Sequence, residues 1–179
     1  MRFNPGPGWG GHCIPLDPFY LAWKARQVGA PTKFIELAGE VNHQMPSYVI
    51  ARLVEALKAR GRDIRGSRVL VLGLAYKPDI DDVRESPSFE IIEDLRDLGA
   101  TVDYNDPHVP RTHQMRRYDL KMASVALPPA ALAKYDAVII STAHGAYDWQ
   151  MIGENAKLII DTRNALKDYR GDRSHIVMA

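Results

Sequence analysis

The sequence predicts an α/β protein, a mostly parallel Rossmann-like sheet preceded by an all-helical segment. Three observations carry that expectation. Up to residue 62 the apolar residues recur at helical spacing; after residue 66 β-branched runs alternate with helical ones; and between them Gly61 and Gly66 bracket a polar joint, "GRDIRG". The expected division is a helical unit over 1–62, which carries the lone cysteine, and a sheet unit over 66–179.

Gly6 to about Pro18 is glycine- and proline-rich and reads as loop. "FYLAWKARQVG", "KFIELAGEVNHQM" and "PSYVIARLVEALKARG" then read as helices, with Val49, Leu53, Val54 and Leu57 on one face of the third. "SRVLVLGLAY" is the β-branched run of a buried parallel strand. "SPSFEIIEDLRDLGA" supplies a helix with Ser86 as N-cap, Pro87 at its first position, Phe89, Ile92 and Leu95 on one face, and Gly99 as its stop. "TVDYND", "DAVIIST" and "KLIIDTRN" add three strands, and "PPAALAKY" and "AYDWQMIGEN" two short helices between them. Ligands of such sheets bind at the carboxyl ends of the strands, which here carry Lys77, Asn105, Asp106, Thr142, His144 and the segment 161–164.

Composition excludes several classes of function. Hydrophobic residues make up 46% and charged residues 25%, with 23 basic against 22 acidic side chains, so no broad field draws in nucleic acid or acidic membranes. No apolar run is long enough to span a bilayer or form a signal-peptide core, and a single cysteine excludes an internal disulfide framework. A soluble, cytoplasmic protein with a specific small-molecule partner is expected, and no metal.

Two stretches carry chemistry. After the first strand comes "GLAYKPDIDDVRES" in place of a GxGxxG turn, so this sheet is not expected to hold a whole NAD by itself. Lys77 and Arg84 flank Asp79, Asp81 and Asp82 there; they read either as phosphate-neutralising cations or as part of a solvated loop with internal ion pairs. In "GPGWGGHCIPLDPFYL", Cys13 reads as a small core residue or as a nucleophile. Gly8, Gly10 and Gly11 leave the backbone bare enough to approach a ligand. His12, adjacent in the chain, points away from Cys13 in an extended loop and reads as a hydrogen-bonded loop histidine. Asp17 either orients a water or caps the helix that follows.

"PGPGWGGHCIPLDPFYL", "VLGLAYKPDIDDVRESPS" and "DTRN", in that order, resemble the UDP-glucose/GDP-mannose dehydrogenase family over nearly the whole chain. The resemblance implies a C-terminal portion of such an enzyme: part of the central helical domain, which forms a homodimer, followed by the UDP-binding Rossmann-like domain. It also implies the reaction, oxidation of the C6 hydroxyl of a UDP-sugar to the uronate in two NAD-dependent steps through a cysteine thiohemiacetal and thioester. Cys13 matches the nucleophile and Asp17 an aspartate that handles water. Trp9 and Gly10 match positions lining the sugar, Lys77 and Arg163 substrate-contacting cations, and Arg84 an arginine that reaches NAD. Leu16 stands where the UDP-glucose enzymes carry lysine, and "GGHCIPLDPFYLAWKA" resembles the branch that oxidises UDP-N-acetylglucosamine. The family's NAD domain and its catalytic lysine and asparagine have no counterpart in these residues, so the chain alone is expected to be inactive. The alternative is a non-catalytic module that binds a UDP-sugar and dimerises.

Overall fold

Residues 4–179 are described by a computed structural model. Three helices lead, α1 (Asp17–Gln27), α2 (Lys33–His43) and α3 (Met45–Lys58). Then come β1 (Arg68–Leu72), α4 (Pro87–Asp97), β2 (Thr101–Asn105), α5 (Pro129–Leu132), β3 (Ala137–Ile140), α6 (Trp149–Asn155), β4 (Ile159–Asp161) and β5 (Ile176–Met178). All five strands are parallel, in the order β2-β1-β3-β4-β5. The fifth strand, three residues pairing Ile159 with Ile176, is an addition to the four the sequence predicts. So short a run carries no periodicity.

Strands β1 and β3 read as continuous apolar runs because the middle of the sheet is covered on both faces. Alternate residues serve opposite sides: Val69 and Val71 join Leu53, Phe89 and Ile92 under α3 and α4, whereas Leu70 and Leu72 join Leu132 and Ile152 under α5 and α6. Helix α3 presents Val49, Leu53 and Leu57 to that first core, with Val54 packed at its edge. The polar joint therefore does not separate two cores. Gly61 and Gly66 adopt positive φ (71° and 79°) and turn the chain from α3 straight into β1.

Ser86 caps α4 as expected, its hydroxyl accepting from the Ser88 amide at 3.3 Å, with Pro87 next and Gly99 at φ 85° after the end. Helices α1 and α2 differ from the rest. Tyr20, Leu21, Trp23, Phe34, Leu37 and Val41 are all exposed, Phe34 at 88%. Among the described residues no helix is long and apolar enough to cross a membrane.

Candidate functional site

The sheet order reverses between β1 and β3. Helix α4 leaves β1 over one face and α6 leaves β3 over the other, which puts the switch point of the sheet at the carboxyl ends of these two strands. Two segments form the rim there: the loop 73–86, and the turn that follows β3.

Loop 73–86 is held by side chains from the neighbouring strand ends. Asp106 is fully buried; one carboxylate oxygen accepts from the amides of Leu74 (2.6 Å) and Ala75 (3.0 Å) and from His144 Nε2 (3.0 Å), the other from the amides of His108 (2.8 Å) and Val109 (3.0 Å). Burial works to raise the Asp106 pKa, but the bonds from His144 and from the Ala75, His108 and Leu74 amides outweigh it and hold the carboxyl at about 2. Thr142 Oγ1 donates to the Ala75 carbonyl at 2.6 Å, and the Asp79 amide donates to His144 Nδ1 at 2.9 Å.

The cysteine loop lies across this rim. Gly6 abuts the guanidinium of Arg163, and Gly10 sits against Tyr76 and the Glu85 carbonyl so closely that a Cβ at Gly10 has no room. The Gly11 amide donates to the Arg84 carbonyl at 2.8 Å. Cys13 is exposed, which rules out its reading as a core residue. Its carbonyl accepts from the Leu16 and Asp17 amides at 3.1 and 2.8 Å, folding the loop into the start of α1. Asp17 is the first residue of that helix and not its cap; it makes no capping bond. His12 is exposed and, among the described residues, makes no side-chain hydrogen bond, contrary to expectation, because the loop turns it to solvent. Trp9 is half-buried edge-on against Phe19 and His43, 6.0 Å between centroids in each case, and its amide donates to Asn42 Oδ1 at 2.9 Å. It also lines a cleft of roughly 70 Å³ with Asn42, His43, Glu90, Arg117 and Tyr118.

The three expected cations differ in state. Arg84 is exposed and gripped by Asp82, with Nε–O distances of 3.0 Å and Nη2–Oδ2 of 2.6 Å, so it matches the internal-ion-pair reading. Its pKa is raised by the Asp82 hydrogen bond and charge, with smaller contributions from Tyr76 and Cys13. Lys77 is exposed and makes no ion pair among the described residues. Arg163, two residues beyond β4, donates from Nε to the Ser141 carbonyl at 2.7 Å and has no carboxylate partner among the described residues. Burial pushes its pKa down. Asp161, two residues before it in the chain, is committed to the amides of Arg163, Ala165 and Leu166 at 3.0–3.1 Å. A half-buried guanidinium lacking its counter-ion is suited to an anion.

Four residues of this site gain their place only from the structure. Gly6 and Tyr76 hold the cysteine loop to the sheet, and Asp106 and His144, visible in the sequence only as strand-end residues, organise loop 73–86. Asp79, His108 and His144 bring potential metal ligands within 4.8 Å of one another. Both His144 nitrogens are already engaged, so the cluster offers an ion one imidazole and one carboxylate, too few for a stable divalent site. Nor do these residues make a dinucleotide cradle: the Leu74 and Ala75 amides that follow β1 point into Asp106.

Comparison with known proteins agrees with this fold. The model of the UDP-glucose/GDP-mannose dehydrogenase family, UDP binding domain, matches residues 70–168, and that of the family's central domain matches residues 1–44. The UDP-N-acetyl-D-glucosamine 6-dehydrogenase of Pseudomonas aeruginosa is 32% identical over 96% of this chain and 41% of its own length. The UDP-N-acetyl-D-mannosamine dehydrogenase of Pyrococcus horikoshii is 34% identical over 92% of this chain and 37% of its own. A solved structure of the UDP-D-ManNAc dehydrogenase from Pyrococcus horikoshii superposes with a TM-score of 0.75 at 30% identity, covering 98% of this chain and 39% of that one. The chain thus spans about two fifths of the length of the curated relatives it matches.

Proposed function

Because the chain belongs to the UDP-glucose/GDP-mannose dehydrogenase family, we propose that it serves as the nucleotide-binding and nucleophile-bearing part of a UDP-sugar 6-dehydrogenase. The overall reaction is oxidation of the sugar C6 alcohol to a uronate, dependent on NAD, with UDP-N-acetylglucosamine as the substrate. One observation carries the proposal: the cysteine loop is packed directly on the strand ends that bear Lys77 and Arg163, through the contacts of Gly6 with Arg163 and of Gly10 with Tyr76. A diphosphate held by those two cations leaves its sugar beside the loop of Cys13.

In this reading each residue has a task. Arg163 supplies a fork of donors to the diphosphate, and Lys77 a mobile point charge. The Cys13 thiolate adds to the C6 aldehyde, whose oxygen takes up a proton, and so holds the intermediate on the protein. After the second oxidation a water, oriented by Asp17, attacks the thioester carbon and the thiol departs as the uronate forms. Trp9 and Gly10 border the sugar, and Arg84, on the surface of loop 73–86, is the residue facing NAD. The hydride transfers belong to NAD when it is bound, and none is derived from these residues because they form no cradle for it. The exposed apolar side chains of α1 and α2 form the contact of a homodimer.

Calorimetric titration of the chain with UDP, UDP-glucose and UDP-N-acetylglucosamine tests the reading. All three bind, the N-acetylated sugar tightest; no heat from any of them overturns it, and a preference for UDP-glucose overturns the substrate alone.

A further inference from the structure

We propose that His144 and Asp106 form a clamp that positions Lys77 toward the nucleotide, an inference that rests on the reading of the strand ends as a nucleotide site. They are positioning residues: neither needs to touch the ligand. His144 is completely buried, and each ring nitrogen has one partner. The Asp79 amide can only donate, so Nδ1 is the acceptor and the proton sits on Nε2, where it is given to Asp106. Asp106 Oδ2 also takes the Leu74 and Ala75 amides. The backbone is therefore fastened two and three residues before Lys77 and two residues after it, and nowhere between by these groups.

The loop turns sharply where it is fastened. Asp79 has a φ of 61°, in the left-handed region that aspartate tolerates, and its side chain returns the anchor by accepting from the Gly145 amide at 2.7 Å. Lys77, by contrast, is exposed and unpaired among the described residues, so its placement comes from the backbone on either side. A buried histidine–carboxylate pair also loses hydration that apolar packing would not, so packing alone gives no reason for it. What it does give is a junction of three strand ends, from β1, β2 and β3, at the point where the sheet order reverses.

The test uses the whole chain and a thermodynamic cycle read by UDP calorimetry. His144→Ala should weaken UDP binding by no more than Lys77→Ala does, and the double variant His144→Ala/Lys77→Ala should bind as Lys77→Ala alone, because the clamp acts through that lysine. His144→Ala combined with Arg163→Met should instead show the product of the two losses. His144→Asn, which keeps an acceptor near the place of Nδ1, should recover part of the affinity that His144→Ala loses. Wild-type affinity in His144→Ala, or multiplied losses with Lys77→Ala, overturns the clamp. Amide hydrogen exchange separates this from the parent reading and from misfolding. In the wild type the Leu74, Ala75 and Asp79 amides should be protected, and in His144→Gln, which keeps only the donor toward Asp106, Asp79 alone should exchange faster. Rapid exchange of all three in the wild type overturns the clamp, even if the chain binds no UDP and the nucleotide reading itself has failed.

Discussion

Replacing Arg163 by methionine separates binding from stability, because the two should respond differently. Methionine keeps an apolar stem of similar reach and removes the guanidinium that abuts Gly6, and with it the charge. In the free protein the guanidinium has no carboxylate partner among the described residues and burial disfavours its charge, so its removal costs only the bond from Nε to the Ser141 carbonyl. That bond is worth roughly 0.5–1.5 kcal/mol net, and relief of the buried charge offsets part of it. The free energy of unfolding should therefore stay within about 1 kcal/mol of wild type. In the proposed complex the same group would donate one or two charge-assisted hydrogen bonds to a diphosphate, each worth roughly 1.5–3 kcal/mol. Losing even one weakens Kd about tenfold to a hundredfold. Urea denaturation and UDP calorimetry on the same samples give both numbers. Unchanged affinity refutes the placement of the phosphates, and a stability loss of about 3 kcal/mol or more would show a guanidinium that already has its counter-charge within the fold.

Other expectations follow from the same structure. Leu53→Ala in α3 should destabilise the chain by about 2–5 kcal/mol, and denaturation followed by fluorescence and by circular dichroism should still give coincident transitions, since α3 shares the core of the sheet; two separate transitions would contradict that shared core. Asp106 has a folded pKa near 2, below the ordinary aspartate value, so its stabilisation is complete above about pH 4 and disappears as the pH falls toward 2. Asp106→Asn should flatten that part of an acid-unfolding curve, by about 2 kcal/mol between the two limits; an unaltered curve would show that another carboxylate controls acid unfolding. Cys13→Ser should bind UDP as wild type does, because in the proposed function Cys13 meets the sugar and not the nucleotide; a tenfold loss by calorimetry would place Cys13 elsewhere. Light scattering at micromolar concentration should give a dimer mass, reduced toward the monomer by Phe34→Glu together with Trp23→Glu on the exposed α1–α2 face; a monomeric wild type would refute that interface.

The parts of the fold that could be read from the sequence are those governed by local pattern. Four strands and six helices announce themselves by apolar runs, by 3.6-residue spacing, and by caps such as Ser86 and Gly99. Strand β5 lies below that signal because its three residues show no period. The apolar face of α3 was legible, but not the partner it packs on. At the site the contrast is the same. The Arg84–Asp82 pair spans two residues and is local enough to anticipate, whereas the bond from His144 to Asp106 spans 38 residues and the contact of Gly6 with Arg163 crosses most of the chain. Motif resemblance proposed roles for Cys13, Lys77 and Arg163. That loop 73–86 is fastened from below by a histidine and an aspartate needed the topology.

A crystal structure of this chain grown with UDP would decide whether the carboxyl ends of β1 and β4 hold the diphosphate of a UDP-sugar beside the loop of Cys13. The diphosphate should lie between Lys77 and Arg163, with the guanidinium of Arg163 turned onto phosphate oxygens and loop 73–86 in its present conformation. UDP seated instead in the cleft of Trp9, His43 and Arg117, or bound with neither Lys77 nor Arg163 within hydrogen-bond distance, would contradict it.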